Sequence, residues 1–361
     1  MDGHESLRKL FVIILLCLFL SIKIAPGFAA SESEASQKIS EAQNAIDLAY
    51  EAASDAEKAG ANITDLLTVL NEAGELLSKA SFAYASKDFD SAFENADLSK
   101  VKLDGLVERA NAQEKAAAQQ AYSDLMLYVV GPLVGSGILV FGCFTIWNLL
   151  KMKMREGWKH DLLNFSEFRT LFITATLFLA LLVSSPALSR LLVLPSTESF
   201  TEFWILDQNR TAENYPSTIS SNHEYSVFLG IANRLGYCAY YTIETKFRNQ
   251  TQPSPNTLNR TSSSLPALYN ITAFVADEGV RDIPLTFSFD YEYNGTLLYV
   301  ALQSLRLNNI TLDMTEYTIT WNSTRDGFYG SLFFELWIYN AAADVFQYHE
   351  RFVGLWLNMA S

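Results

Sequence analysis

The 361-residue sequence contains few of the residues on which most active sites depend. It has four histidines and three cysteines, and the sequence motifs of metalloproteases, serine hydrolases, P-loop proteins and Cys-x-x-Cys sites do not occur in it. Cys17 and Cys143 lie in apolar runs, which leaves Cys238 alone in its region and excludes a disulfide framework within one domain. We expect Cys238 to be a small buried residue, with an intermolecular disulfide as the alternative. We predict no catalytic residue, no cofactor and no metal site.

Charged residues are also scarce. They make up 18% of the chain, against roughly 25% in soluble domains, and the net charge is −14. Residues 31–126 carry 8 basic and 18 acidic side chains, and residues 196–361 carry 9 and 17. Nucleic acid is not expected as a partner, because a phosphate-binding protein needs a basic face. By contrast, residues 151–169 are net positive, with 5 basic and 3 acidic side chains.

Apolar runs predict export and membrane insertion. Residues 1–30 combine Arg8 and Lys9 with a short apolar stretch and a small-residue site, which is the pattern of a signal peptide or of an uncleaved signal anchor. Residues 127–150 and 170–190 are the predicted membrane helices. Each contains at least about twenty consecutive uncharged residues, which is enough to cross a hydrocarbon core of about 30 Å.

The loop between these two helices predicts their orientation. A short basic loop lies on the cytoplasmic side of a membrane. The basic residues of loop 151–169 are Lys151, Lys153, Arg155, Lys159 and Arg169. The predicted localisation is therefore the plasma membrane, crossed more than once, with residues 31–126 and 196–361 both extracytoplasmic and the lipid bilayer as a partner.

The first predicted membrane helix contains a strip of small residues. Gly131, Gly135 and Gly142 could form a contact face for the second helix or for another copy, although glycine is also simply common in membrane helices. Neither predicted span contains a carboxylate, a lysine or a histidine. The sequence therefore gives no support to an ion pathway, which argues against a transporter.

Residues 31–126 are rich in Ala, Glu, Lys, Ser and Leu and contain no proline. Their apolar residues recur at helical spacing. We expect the first helix to end at Gly60 and the third to be capped by Asp88 and to continue without a break into the membrane. The prediction is an α-helical hairpin or three-helix bundle. It could act as a stalk for self-association, and a peptide-binding role is the alternative.

Residues 196–361 contain seven short β-branched and aromatic runs separated by turn residues, which is typical of an Ig-like antiparallel β-sandwich. The runs are 225–233, 237–247, 285–293, 297–305, 316–321, 331–340 and 350–359. Asn294-Gly295 predicts a type I′ hairpin between two of them. We expect the core between the sheets to contain Tyr241, Trp321, Phe333, Trp337 and Trp356. The overall fold class is a multidomain α and β protein.

Acceptor sites for N-glycosylation are frequent, and they indicate exposed surface in an exported chain. The predicted glycosylation sites are Asn62, Asn209, Asn249, Asn259, Asn270, Asn294, Asn309 and Asn322. Asn164 also lies in an Asn-x-Ser motif but belongs to the predicted cytoplasmic loop. It should remain unmodified and serves as an internal control.

A family resemblance is carried by "SFTEFWILDQNRTAENYP" (199–216) and "YSVFLGIANRLGYCAYYTIET" (225–245). These stretches resemble the membrane-protein family called domain of unknown function 1616. "FELWIYN" and "RFVGLWLNM", nearer the C-terminus, extend the resemblance, so that it covers roughly residues 165–361.

Several single residues fit the same family. Glu202, Tyr215 and Pro216 match its signature, and Asn233 falls where the family keeps a polar turn residue. The resemblance implies an Ig-like ectodomain presented by membrane helices on an archaeal cell surface, and it implies no activity. The acidic helical region lies outside the pattern and resembles a lineage-specific addition.

The remaining candidates for chemistry are few. Glu202, Asp207 and Glu213 could bind a cation or form a glycosidase pair, but an acidic rim explains them more simply. His223 and His349 fit turn or strand-edge positions. We expect a cell-envelope protein, not an enzyme, that makes protein–protein or surface-layer contacts. The alternative is an extracytoplasmic sensor or an accessory subunit of a transporter or signalling complex, and a carbohydrate-active enzyme is a third reading.

Overall fold

Helices in the N-terminal half and antiparallel strands in the C-terminal half make this an α+β protein. The computed structural model describes residues 30–157, 165–191 and 199–360. The predicted signal sequence up to residue 29, Lys159 and Asn164 therefore lie outside the described residues. The helices are α1 (Glu32–Lys58), α2 (Thr64–Ala85), α3 (Phe89–Lys102), α4 (Leu106–Leu125), α5 (Gly131–Gly157) and α6 (Phe165–Leu191).

Helices α1, α2 and α3 form an up-down-up bundle, and α4 packs against α1. Ser31 begins α1 with a capping box: its hydroxyl accepts from the Glu34 amide, and the Glu34 carboxylate accepts from the Ser31 amide. Asp88 caps α3 by accepting from the Ser91 amide. The Lys38 ammonium lies 2.7 Å from the Asp97 carboxylate. Another ion pair farther along α1 and α3 joins Glu41 to Lys100, so these two helices run in the same direction.

The third predicted helix is interrupted, which corrects the expectation of an unbroken helix to the membrane. Residues 103–105 form a turn, and Gly105 adopts φ +72°, a conformation that costs glycine little. The segment beyond the turn, α4, nevertheless stays against α1, because Leu106 and Ala110 are buried in the same apolar cluster as the α1 side chains. In the described structure, the bundle therefore consists of the four helical segments α1 to α4.

Continuity between the bundle and the first predicted membrane helix is as expected. Pro132 has no amide hydrogen and its ring crowds the carbonyl four residues earlier. The chain widens into one π turn, Met126–Val130, immediately before it, and the Gly131 amide donates to the Met126 carbonyl. The helical stretch Phe89–Leu149 is long and apolar enough to cross a membrane, and the apolar part of α6, Ile173–Ser185, is shorter.

Helices α5 and α6 pack against each other. A methyl group placed on Gly135 would lie 3.9 Å from Val183 Cγ1 of α6, so Gly135 faces that helix. A methyl group on Gly131 would lie 3.2 Å from the Met126 carbonyl oxygen, and a methyl group on Gly142 would have no neighbour within 4 Å.

The basic residues around the predicted loop lie near the ends of these two helices. Lys151, Lys153 and Arg155 fall in the last turns of α5, and Arg169 falls near the start of α6. The sequence predicts that these helix ends lie at the cytoplasmic face of a membrane, and this orientation stays a prediction.

Within the described residues, eleven strands form two facing sheets, ordered β1-β3-β6-β7-β8 with β9 beside β7, and β2-β11-β10-β4-β5. The strands are β1 (Phe200–Leu206), β2 (Thr218–Ile219), β3 (Tyr225–Arg234), β4 (Ala239–Arg248), β5 (Tyr269–Val275), β6 (Val280–Asn294), β7 (Tyr299–Leu307), β8 (Ile310–Asp313), β9 (Thr318–Thr320), β10 (Tyr329–Asn340) and β11 (Val345–Met359). All seven predicted runs are strands. The short strands β1, β2, β5 and β8 were not predicted.

The core between the sheets differs from the prediction. Tyr241 is fully buried there, as expected. The inward positions of β10 are Leu332, Phe334 and Leu336, so Phe333 and Trp337 lie on the outer face of their sheet. Trp321 and Trp356 are about 40% exposed and are not core residues either.

The hairpin at Asn294-Gly295 is present, but its predicted type I′ turn is wrong. The last paired residues are Asn294 and Tyr299, so four residues form the turn. The Asn294 carboxamide oxygen accepts from the Thr296 and Leu297 amides, and Leu298 takes a positive φ. The asparagine side chain therefore stabilises a wider turn than the sequence pattern predicts.

The helical bundle is docked on the outer face of the five-stranded sheet. Tyr240 of β4, Phe274 of β5 and Tyr50 of α1 lie in one apolar cluster with the buried residues of the bundle. The Tyr50 hydroxyl donates to the Cys238 carbonyl at 2.8 Å, and Cys238 is fully buried, as predicted. The helical region is therefore packed along the sandwich and is not a free stalk.

Strand β5 is an edge strand, and α2 closes its edge. The Phe274 amide donates to the Asn71 Oδ1 at 2.8 Å, and the Asn71 Nδ2 donates to the Phe274 carbonyl at 3.1 Å. One carboxamide thus replaces the backbone of a neighbouring strand and protects the edge from pairing with another chain. Gly74 permits this approach, because a methyl group there would lie 2.5 Å from Thr272 Cγ2.

Replacing Asn71 with alanine is expected to destabilise the protein by about 1–3 kcal/mol, because two partly buried backbone groups of Phe274 lose their partner. Hydrogen exchange at the Phe274 amide should accelerate, and the thermal midpoint should fall. Asn95→Ala is the matched control, since the Asn95 amide donates only to Ser91 in its own helix. Equal effects of the two substitutions would contradict the edge-closing role.

Asp47 lies at the same interface and has a raised pKa. Burial against the sandwich raises the pKa of Asp47 to about 6, and the nearby charges of Asp344 and Glu51 act in the same direction. Its Gln43 hydrogen bond acts against the shift. Because the folded pKa exceeds the unfolded value of about 3.9, the folded state binds the proton more strongly. The stability of the docked state therefore falls as the pH rises from about 4 to about 6, and above that range the ionised Asp47 leaves it at its lower value.

Asp47→Asn is expected to stabilise the protein by about 1–2 kcal/mol at pH 8, after allowance for the partial exposure of the side chain. The advantage should shrink as the pH falls through 6 and should vanish near pH 4, where the wild-type carboxyl group is protonated. Thermal unfolding of both proteins across this range measures the difference directly. A constant difference at every pH would refute the assignment.

Candidate functional site

The two ends of the sandwich differ in what they face. Strand β1 begins at Phe200, opposite Arg234, and the β3–β4 and β5–β6 turns lie at this same end, close to the C-terminal half of α1. Arg248 closes β4 nine residues after Ala239, about 30 Å away at roughly 3.4 Å per residue. The end that holds Arg248 is therefore opposite the end at which the chain enters β1 after the apolar helices α5 and α6.

This far end carries an exposed cluster of aromatic and cationic side chains, which we call the distal surface. It consists of Arg248, Trp321, Arg325, Tyr329 and Trp356. The guanidinium carbons of Arg248 and Arg325 each lie 4.8 Å from the centre of the Trp356 ring. Arg325 also lies 5.7 Å from the Tyr329 ring. These are cation–π distances, each worth about 0.5–1 kcal/mol at an exposed site.

Strand register brings these residues together. Arg248 of β4 and Trp356 of β11 are both opposite Ser331 of the central strand β10. Ser331 is small, so the two longer side chains can meet across it. The turn between β9 and β10 delivers Arg325, because the Asn322 carboxamide oxygen accepts from the Thr324 and Arg325 amides.

Neighbouring segments hold the distal surface in place. Phe328 is buried beneath Trp321, with their ring centres 5.0 Å apart and nearly perpendicular. The Phe328 amide donates to the Asn358 side chain of β11. The Arg248 guanidinium donates to the Gln252 carbonyl at 2.7 Å, which ties the strand to the start of loop 249–268.

The electrostatics of the distal surface are unusual for so acidic a chain. Burial lowers the pKa of Arg248, and the positive charge of Arg325 lowers it further. Within the described part of the chain, no carboxylate oxygen lies within 4 Å of either guanidinium group. Among the described residues, these two neighbouring cations therefore have no acidic partner.

A buried ionic cluster fixes loop 249–268 beside this surface. Glu335 is fully buried and accepts from the Lys246 ammonium at 2.7 Å and from the Ser263 amide at 2.6 Å. Lys246 also donates to the Ser263 carbonyl and pairs with Glu244. The main chain of one loop residue is therefore clamped by both charges, which satisfies groups that would be costly to bury alone.

The carboxylates considered for catalysis are not brought together. Asp207 is buried and accepts from the Asn209 and Thr211 amides, and these bonds hold the pKa of its carboxyl group below the usual range. Glu202 and Glu213 are both exposed. Among the residues that the structure describes, no group of three or more His, Cys, Asp or Glu side chains is placed to hold a metal ion.

His223 and His349 occupy different surroundings. His223 is exposed and its ring lies 4.7 Å from the Tyr225 ring. His349 is half-buried, its Nε2 lies 2.8 Å from the Thr201 hydroxyl, and burial lowers its pKa. Thr201 in turn contacts the Tyr241 hydroxyl at 2.9 Å, so His349 belongs to a polar chain that joins β11, β1 and β4.

Two of the residues that carried the family resemblance have structural contacts. Asn233 was expected in a turn, but it lies within β3 and is fully buried. Its amide donates to the carbonyls of Tyr237, Val275 and Ala276, which pins the β3–β4 and β5–β6 turns together. The Tyr215 hydroxyl donates to the Ile205 carbonyl of β1.

The predicted glycosylation sites fall into two groups. The exposed asparagines are Asn62, Asn209, Asn259, Asn270 and Asn309. The half-buried asparagines are Asn249, Asn294 and Asn322, all at the distal end. In the second group each side-chain amide donates a hydrogen bond, to Thr318, Tyr299 and Gln250 respectively.

Residues 194–298 match the family model of the domain of unknown function DUF1616. The expected resemblance is confirmed over this segment. The segment contains β1 and β3, where Trp204 covers Gly230 so closely that a methyl group there would lie 2.1 Å from the indole. The match ends before β10 and β11, and it leaves out the helical bundle. The family description assigns no activity.

Other comparisons add no function. No curated protein matches this chain. Among solved structures, a β-glucosidase from Listeria innocua in complex with glucose is similar over 46% of this chain and 17% of its own, with 9% identity and a TM-score of 0.21. The same enzyme in complex with gluconolactone gives 8% identity and the same TM-score. This chain thus spans about a sixth of that enzyme, and the similarity carries no inference about fold or activity.

The distal surface was missed by sequence reasoning. Arg248 and Arg325 are 77 positions apart in the chain, and neither belongs to a motif. Trp356 was expected in the core. The cluster becomes visible only from the register of β4, β10 and β11. The one signal in the sequence was the number of aromatic residues, some of which lie outside the core.

Glu335→Gln is expected to destabilise the protein by about 3 kcal/mol and to expose loop 249–268, because it leaves Lys246 buried with less compensation. Limited proteolysis of the loop and thermal unfolding measure both effects. Glu350→Gln is the control, since Glu350 reaches the same loop through an exposed pair with Arg260. That change should cost less than about 1 kcal/mol. A loop that stays protected in Glu335→Gln would contradict the clamp.

Proposed function

We propose that this protein is a membrane-anchored component of a cell envelope that makes protein–protein contacts through the distal surface. In this proposal α5 and α6 both cross the plasma membrane. The bundle and an Ig-like sandwich then stand together on the extracytoplasmic side. Support for the Ig-like assignment comes from two facing sheets whose consecutive strands, such as β3 and β4, lie in different sheets.

The observation that carries the proposal is the position of the exposed aromatic cluster. The chain leaves the bundle through α4 into the apolar helix α5, and it returns from α6 to β1 at the opposite end of the sandwich from Arg248. The distal surface therefore points away from any membrane that α5 crosses. Trp, Tyr and Arg, which form this surface, are the residues that contribute most of the energy in protein interfaces.

A second candidate is an accessory or sensory subunit of a membrane complex. The observation that favours it is the direct helical connection from α4 through the π turn to α5. A partner bound at the sandwich would load a helix that enters the membrane region. Loop 151–169 is too short for a signalling domain, so this role requires another protein.

The distal surface is expected to be reached from outside the cell. Ser323 is exposed in the turn that carries Arg325. Ser323→Cys should react with a membrane-impermeant maleimide on intact cells. Lys159→Cys in the loop should react only after permeabilisation. The opposite pattern would overturn the topology and the proposed function with it.

Glycan positions give a further prediction. Glycopeptide mapping of the protein from its native membranes should find glycans at exposed asparagines such as Asn259 and Asn270. It should find none at Asn249, Asn294 and Asn322, because these side chains are half-buried and a sugar would replace one of the two amide hydrogens available for the bonds that each donates. The distal surface would then stay free of sugar. A glycan on Asn164 would contradict the cytoplasmic loop, and full occupancy of the three distal sites would contradict a bare contact surface.

A further inference from the structure

The distal surface has the charge of a binding site for anions. Arg325 is exposed, and within the described residues its guanidinium group has cation–π contacts and no hydrogen bond. Both arginines lie over one indole ring, so they cannot be farther apart than twice 4.8 Å. Like charges this close repel each other, and a guest carboxylate would relieve the repulsion while taking paired N–H donors from the guanidinium forks.

We propose that the distal surface binds an acidic segment of a partner protein, with carboxylates of that segment seated against Arg248 and Arg325. The inference rests on the proposed function and specifies the chemistry of its partner. An acidic peptide is the complement that the surface itself lacks, because the described part of the chain supplies no carboxylate to these two cations.

The surroundings favour a polypeptide over an acidic glycan. The two guanidinium groups occupy the ring of Trp356, which leaves little of that face free to stack on a sugar. Exposed apolar side chains lie in the β6–β7 turn at the same end of the sandwich. Leu298 lies beside Trp321, whose amide donates to the Leu298 carbonyl, and Leu297 is 69% exposed next to it. A peptide can cover such apolar area while its acidic side chains reach the arginines.

The surface is also pre-formed, which reduces the entropy lost on binding. Arg248 is held by the Gln252 carbonyl, and the Arg325 turn is held by Asn322. Loop 249–268 is fixed by the buried Glu335 cluster. The Arg248 guanidinium and the backbone that carries Arg325 are therefore in place before a ligand binds, which leaves the Arg325 side chain and the partner segment to become ordered.

Binding of a defined probe to the full-length protein in detergent tests the proposal. The probe is a fluorescent peptide of alternating Glu and Gly, and the matched probe replaces each Glu with Gln. The Glu peptide should bind, its affinity should fall as salt is added, and the Gln peptide should bind at least tenfold more weakly. Arg325→Gln should lower the affinity for the Glu peptide about tenfold, and Arg325→Lys should lower it less, because the charge remains but the fork is lost.

Two controls keep the result interpretable. Arg306→Gln removes an exposed arginine of β7 elsewhere on the sandwich and should leave binding unchanged. Oligogalacturonate offers carboxylates on a glycan and should bind more weakly than the Glu peptide. Equal binding by wild type and Arg325→Gln, equal loss in Arg306→Gln, or tighter binding of oligogalacturonate would each overturn the acidic-peptide proposal.

The proposed function fails separately. If the peptide does not bind but Ser323→Cys is still labelled from outside the cell, the surface contacts a partner of other chemistry and only the inference is lost. If Ser323→Cys is not labelled on intact cells, the extracytoplasmic contact role is lost as well.

Discussion

The contact between α2 and the edge strand β5 organises the whole molecule. A sandwich with an unprotected edge strand invites pairing with other chains, and here a helix side chain, Asn71, occupies that edge. The same contact determines where the bundle lies, because Gly74 allows the two backbones to approach. Because α4 packs in the same bundle, this contact also determines where α4 lies relative to the sandwich.

The docking also explains the composition of the central strand. In "SLFFELWIYN" both faces of β10 are apolar, because the inner face packs in the core and the outer face is covered. Tyr339 lies 5.3 Å from Tyr240 and 6.1 Å from Tyr50, between the sheet and α1. Farther along the strand, Glu335 lies beneath loop 249–268. A sandwich with one solvated face would show strict alternation instead.

This double burial marks the limit of what the sequence predicted. Helical spacing located the bundle, and uncharged runs located α5 and α6, because both patterns are local. The seven strong runs became strands for the same reason. The inward residues of β10 could not be chosen, since alternation identifies a core face only when the other face is polar. The break at Gly105 and the wider turn at Asn294 depend on side-chain bonds and on a single φ angle, which spacing does not reveal. The distal surface depends on register between strands far apart in the chain.

The bundle and the sandwich are joined to the apolar helices at two points, by the continuous passage from α4 to α5 and by the return of the chain from α6 to β1. From Ala110, the last buried bundle residue of α4, to Leu125 the helix rises about 22 Å. One attachment would leave the sandwich free to rotate about the axis of α5. A second attachment through α6 restricts that rotation, so that, in the proposed membrane orientation, copies whose helical hairpins are aligned would present the distal surface in the same direction.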